Sequence, residues 1–318
     1  MLLTKEHVVL QPPNLENLNR AQRERLAYID FRLYFMGEIG RPELTSRFGV
    51  APSGATRDLA LYREIVPHNI EFDGSHKIYR ISKTFVPLFN HTHQRVLSAL
   101  SLGFGDGPNN DAQPMLACEV PSPISNPPME VLAPICRALH AKRAVAIRYH
   151  SLKDDELERV IVPFALIDSG LGWHVRAFDR KTREFRNFVI TRIAEPIILD
   201  DGPKIGERPE DDIQWTRIVE IELVPHPDKP KPEITLRDYG FNSDTLVLKL
   251  RAATVGYTLK KWGVDCSPDH HLSSPEYRLW LKDHLAIYGV KNALLAPGYV
   301  VPEKITSSTQ SDQSLGLE

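Results

Sequence analysis

Residues Phe48 to Leu59 read FGVAPSGATRDL and place a proline and a glycine where the flanking pattern marks a helix. Pro52 fits as the first residue of that helix, because its missing N–H would have no intrahelical partner there. Ala55, Leu59 and Tyr62 then fall at i, i+4 and i+7 and form the face to be buried. Ser53, Gly54, Thr56 and Arg57 lie on the opposite face near the N-terminal end, giving a small, polar and cationic surface. Gly54 costs on the order of 1 kcal/mol of helix stability relative to Ala, which close approach to another surface would explain.

Outward from this stretch, Ala21 to Met36 carries Leu26, Ile29, Leu33 and Met36 at helical spacing, and Gly37 and Gly40 stop that helix. Arg41 to Phe48 reads as a second short helix with Leu44 and Phe48 four apart, and GVAP as a tight turn. Downstream, Asn69 to Ile81 (NIEFDGSHKIYRI) reads as two strands around Asp73-Gly74, a hairpin signal. Helix, helix, turn, helix, hairpin is the order of a winged helix-turn-helix. The first turn of its third helix enters the DNA major groove, where an Arg reaches a guanine edge or a phosphate. His76, Lys77 and Arg80 on the hairpin are candidate contacts to phosphates or the minor groove. The plain alternative is a small helical domain with a surface hairpin. F-G-V-x-x-x-x-x-x-R-D-L also resembles the recognition segment of the DeoR-like winged-helix repressors, with Ala51 where those proteins place a capping Ser.

The rest of the chain sets limits. With 318 residues, 42% hydrophobic and 25% charged, it has the length of two or three domains. The net charge of −2 is uneven, and only residues 1–100 carry more Lys and Arg than Asp and Glu. The longest apolar run, Val160 to Ile167, is far short of the roughly 20 residues that span a bilayer, and no secretory leader pattern opens the chain, which reads as cytoplasmic. Cys118, Cys136 and Cys266 are widely spaced and read as buried thiols, without a disulfide framework. Residues 101–128 read as a linker rich in Gly, Pro, Asn and Ser, Asp200 to Asp212 as an acidic break, and 303–318 as a disordered tail.

Between these breaks, Met129 to Ala141 suggests a helix that Pro134 must kink or begin. Four strands follow: AVAIRYH, ERVIVPFAL, GWHVRAF and EFRNFVITRI, the spacing of a small antiparallel barrel or sandwich. Alternation sends His174, Arg176 and Phe178 to one face of the third, and Trp173, Val175 and Ala177 to the other, with Trp173 read as core. On an uninterrupted fourth strand Arg186 and Arg192 share a face, so several guanidinium groups could converge on an anion. The alternative is a set of solvated arginines paired with Asp179 and Glu184.

Pro163, Trp173, Arg186, Phe188, Arg192 and Ile193 match in order and spacing the pattern of a WYL domain, with His174, Val175 and Thr191 replacing its Tyr, Leu and Asp. Together with the N-terminal winged helix and the RYHS strand end, the chain resembles the WYL-type transcriptional regulators, in particular the BrxR/CapW-like ones found beside phage-defence operons. The resemblance implies an α+β chain: a winged helix-turn-helix DNA-binding domain (1–100), a linker (101–128), an Sm-like β-barrel (129–200), a mixed α/β extension for dimerisation or gating (213–302) and the tail. It implies a homodimer on an inverted-repeat DNA operator, a repressor or else an activator, relieved by a nucleotide or oligonucleotide effector. His174, Arg176, Arg186 and Arg192 would hold that effector, with Tyr149, Ser151 and Trp173 around them.

No enzyme signature competes: there is no G-x-S-x-G, Walker loop, H-E-x-x-H or G-x-G-x-x-G. His91 with His93, and His270 with His271, read as exposed histidines rather than metal ligands, and Asp154-Asp155-Glu156 as a solvated turn. An enzyme acting on a nucleotide at the cationic barrel face is the remaining catalytic reading; no cofactor, metal or catalytic residue is expected.

Overall fold

The computed structural model describes Leu15 and residues 18–103, 114–121, 124–152 and 157–302. The expected tail, the Asp154–Glu156 turn and much of the expected linker lie outside the described residues. The chain divides into two compact units, Met1–Pro121 and Ser122–Glu318.

In the N-terminal unit, helix α1 (Arg20–Met36) begins where the Asn19 side chain accepts a hydrogen bond from the Gln22 N–H, and it ends at Gly37, whose φ of 80° is left-handed. Leu26, Ile29 and Leu33 are fully buried, as their spacing requires. A two-residue strand β1 (Glu38–Ile39), which sequence reading missed, precedes α2 (Arg41–Phe48). Gly49, at φ 63°, turns the chain into α3 (Pro52–Ile65), whose buried side chains include Ala55, Leu59 and Tyr62. Strands β2 (Ile70–Asp73) and β3 (Ile78–Ile81) pair antiparallel, and β1 adds to β3, giving the order β1-β3-β2. Asp73 closes β2 opposite Ile78, so the hairpin turn is the four residues Gly74–Lys77 rather than a two-residue turn at Asp73-Gly74. Helix α4 (His93–Leu102) completes the unit.

The C-terminal unit opens with α5 (Met129–Ala141), which buries Val131, Ile135 and Ala138 and carries Pro134 in its second turn. Strands β4 (Val145–Tyr149), β5 (Leu157–Asp168), β6 (Trp173–Asp179), β7 (Glu184–Val189) and β8 (Ile193–Ile198) form one antiparallel sheet in the order β7-β6-β5-β4-β8. The pairing of β5 with β6 slips between Pro163 and Ala165, next to a residue that has no N–H to give the ladder. The expected fourth strand is two strands, separated by a 3-10 turn over Ile190–Arg192 that takes the chain from beside β6 to the free edge of β4. Ile190, fully buried, pins that turn. No pairing joins β7 to β8 among the described residues, so this sheet is open, not the closed barrel expected.

A short helix α6 (Ile213–Thr216), capped by the Asp212 side chain, leads into β9 (Ile218–Pro225), α7 (Pro232–Asp238), β10 (Leu246–Arg251), α8 (Ala252–Lys261), β11 (Val264–Asp265) and β12 (Leu279–Leu281), with sheet order β10-β9-β12-β11. The final helix expected near Pro275 to Gly289 is instead β12 followed by a 3-10 turn, because Leu279 and Leu281 alternate inward against β9 while the Trp280 indole donates to the Ser267 carbonyl. Cys118 and Cys136 are exposed, contrary to the expectation of buried thiols, and only Cys266 is buried.

Candidate nucleic-acid interface and ligand pocket

On α3, Ser53, Thr56 and Arg57 are exposed and Gly54 is half-buried, while Ala55, Asp58, Leu59 and Tyr62 face the core. The outward face is therefore the predicted one. No side chain caps the helix at Ala51, and Thr56 donates to the Pro52 carbonyl. Arg57 makes no ion pair among the described residues, so its charge is available to a ligand.

Two buried carboxylates that sequence reading passed over seat this helix. Asp58 accepts two hydrogen bonds from the Arg25 guanidinium on α1, at 2.6 and 3.2 Å. Asp30, fully buried on α1, accepts from the Tyr62 hydroxyl of α3 (2.5 Å), from the Leu88 and Phe89 N–H groups (3.0 and 3.2 Å), and pairs with His91 Nε2 at 2.8 Å. Burial, then the Asp30 charge, pushes the Tyr62 hydroxyl far above its usual pKa, so it remains the donor. His91 is thus half-buried and held at the Asp30 carboxylate rather than exposed. The available signal was a carboxylate at Asp30, four residues after Leu26 on the buried stripe of α1.

The hairpin is less available than its composition implied. The Asp73 carboxylate receives His76 Nδ1 at 2.9 Å, Arg80 Nε at 3.0 Å and the Ser75 and His76 N–H groups. The His76 side chain first, then its N–H, holds Asp73 down to about pKa 2. Arg80 also lies 3.8 Å from Glu38, which leaves Lys77 as the one of these three hairpin side chains without a carboxylate partner among the described residues.

The proposed effector residues do not converge as expected. Arg176 is buried, held by the Asp212 carboxylate at 2.8 and 2.9 Å and by the Asn187 amide oxygen at 3.0 Å. The Asn187 amide in turn donates to the Tyr257 hydroxyl on α8, so this network ties the first sheet to the C-terminal segment. Arg186 pairs with Glu184 on its own strand, and Arg192 lies in the 3-10 turn, so the uninterrupted shared face assumed for them does not exist. Trp173 is 43% exposed, not core. His174 is buried beside Tyr257 with its Nδ1 unpartnered among the described residues; burial lowers its pKa, the Gly172 backbone opposes this and the Arg192 charge adds to it. Arg192, partly exposed, makes no ion pair among the described residues. The Tyr149 hydroxyl accepts from the Val189 N–H, and Ser151 follows the end of β4. A cavity of about 310 Å³ does unite Arg176 and Arg186, but with Gln214, Tyr257 and Lys291 of the C-terminal segment rather than with Arg192.

The other histidines also find carboxylates: His270 pairs with Asp228 and His271 with Asp269. Among the described residues no group of three or more His, Cys, Asp or Glu side chains is placed to hold a metal ion, and no helix is long and apolar enough to cross a membrane.

A winged helix with an exposed third helix, in one chain with a WYL-patterned five-stranded sheet, defines the class of WYL-type transcriptional regulators. Three family profiles match in chain order: the BrxR transcriptional regulator winged helix-turn-helix domain over residues 21–101, the WYL domain over 130–198, and the BrxR transcriptional regulator C-terminal dimerization domain over 218–287. A protein of Escherichia coli (strain KTE188) named DNA-binding transcriptional repressor CapW is 30% identical over 284 residues, 85% of this chain and 91% of that protein. Proteins of the same name from Pseudomonas aeruginosa (31% over 249 residues, 75% of this chain and 81% of that protein) and Stenotrophomonas maltophilia (28% over 290 residues, 82% and 93%) are also similar. The chain belongs to the BrxR/CapW family of WYL-domain transcriptional regulators.

Proposed function

We propose that the protein is a homodimeric DNA-binding transcriptional repressor that reads an inverted-repeat operator with α3. Carrying this reading is the exposed Arg57, without an ion pair among the described residues, beside Ser53, Gly54 and Thr56 on a helix locked to α1 by Asp58 and Asp30. The domain that matches residues 218–287 and the names of the relatives support dimerisation and repression. One winged helix covers too little DNA for tight specific binding, so two copies read two half-sites. In this account residues 1–100 bind DNA, 129–200 sense an effector and 213–302 join the subunits. The sheet within residues 129–200, a four-strand meander with the fifth strand returning beside the first, supports an Sm-like strand order in open form. Regulation of a phage-defence operon rests on the family resemblance, and the names of the relatives favour a regulator over an enzyme.

Arg57→Ala should weaken operator binding by about 1 to 3 kcal/mol and relax selectivity at one base position while leaving the fold intact. A mobility-shift assay on the DNA upstream of its own operon tests this; unchanged affinity removes α3 from the interface.

The effector in this reading is a nucleotide or oligonucleotide that meets Arg186 in the cavity it shares with Gln214, Tyr257 and Lys291, with Arg192, His174, Tyr149 and Ser151 as separate candidate contacts. A ligand releases DNA only by favouring the conformation that binds DNA poorly. Short single-stranded oligonucleotides and cyclic nucleotides, titrated into the preformed protein–DNA complex, should dissociate it. Arg192→Ala or Arg186→Ala should abolish that response with DNA affinity nearly unchanged. Variants that respond like wild type would remove these residues from sensing.

A further inference from the structure

Between α3 and the hairpin lies an open cleft of about 340 Å³ lined by Arg41, Thr56, Phe72, Gly74, Lys77 and Tyr79. Its two cations come from different elements, Arg41 from the first turn of α2 and Lys77 from the last residue of the hairpin turn. Both are exposed, and neither forms an ion pair among the described residues. Lys77 adopts the left-handed φ of 56°. Phe72, 52% exposed, packs on Tyr79 with ring centroids 4.9 Å apart and presents an apolar floor. Gly74 leaves one wall without a side chain. Two uncompensated charges over an exposed aromatic floor, adjoining the outward face of α3, suit a segment of polyanion passing across the surface; a small ligand would seek a more enclosing pocket.

We propose that this cleft seats one phosphodiester of the DNA backbone, held between the Arg41 guanidinium and the Lys77 ammonium, with the Phe72 ring against the adjoining deoxyribose. This inference rests on the DNA-binding reading above. It narrows the hairpin's phosphate contacts from His76, Lys77 and Arg80 to Lys77 alone, since Asp73 holds the other two side chains, and adds Arg41.

The test is fluorescence anisotropy of the full chain on operator and scrambled duplexes across a salt series. Each phosphate contact contributes about 0.9 to the slope of log K against log salt concentration. Because both cations share one phosphate, the double variant Arg41→Ala with Lys77→Ala should lower the slope by roughly that amount, each single variant by a part of it, and all should weaken both duplexes by the same factor. Arg41→Lys and Lys77→Arg should keep the wild-type slope, an outcome that a purely structural role would not give. Phe72→Ala should weaken binding with the slope unchanged. If wild type binds DNA but the double alanine variant keeps its slope, or loses affinity for the operator alone, the cleft assignment is wrong and the DNA-binding reading stands. If wild type binds neither duplex, the reading beneath it fails as well.

Discussion

Arg176→Ala is expected to destabilise the C-terminal unit by about 3 to 5 kcal/mol, because it leaves the buried Asp212 carboxylate without its counter-charge. Both partners of this pair are almost wholly enclosed, at 5% and 2% side-chain exposure, so solvent screens little of the interaction. Asp212 also caps α6 through the Gln214 N–H, and Asn187 passes the network on to Tyr257, so the loss should loosen the attachment of the C-terminal segment to the first sheet. All four tryptophans lie after residue 122, so tryptophan fluorescence in urea reads the C-terminal unit selectively. The double change Arg176→Met with Asp212→Leu should recover most of the loss, since removing a buried pair together avoids the orphaned charge. A shift below about 1 kcal/mol would show the pair to be worth no more than a solvated one.

Asp30→Ala should be comparably damaging in the N-terminal unit. It strips the partner from the Tyr62 hydroxyl, two backbone N–H groups and His91, and each buried group left unsatisfied costs about 1 to 3 kcal/mol. Asp30→Asn should cost roughly half as much. Its single carbonyl oxygen can still serve Tyr62 and Leu88, but its amide then faces the Phe89 N–H. Because Tyr62 belongs to α3, operator binding should fall together with the helical circular-dichroism signal as urea rises, at a lower midpoint in the Ala variant than in the Asn variant. Equal midpoints for wild type and Asp30→Ala would mean that the carboxylate does not seat the recognition helix.

The elements that sequence reading recovered are those whose signals are local. Pro52 marks the start of α3 by its own chemistry, and Ala55, Leu59 and Tyr62 select its buried face by spacing alone. The shared strand face expected for Arg186 and Arg192 fails because alternation describes a strand only while the strand lasts. Through FRNFVITRI the period of two continues past Val189, but the chain turns at Ile190 to reach the other edge of the sheet. Pro275 to Gly289 misled for a related reason: Leu279, Leu281 and Leu285 fit both a strand and a helix, and only pairing with β9 decides between them. The partners that decide which charges are free, Arg25 with Asp58 and Arg176 with Asp212, join elements distant in sequence, which no local pattern reports.

The most direct test of the central claim, that α3 reads operator DNA in a dimeric repressor, is footprinting on the region upstream of the protein's own operon, with the mass of the bound species measured in parallel. Expected are two protected half-sites in inverted orientation, their centres separated by a whole number of helical turns of about 10 base pairs, occupied by a dimer. A monomer protecting one asymmetric half-site, or no protection beyond that of a scrambled duplex, would contradict it.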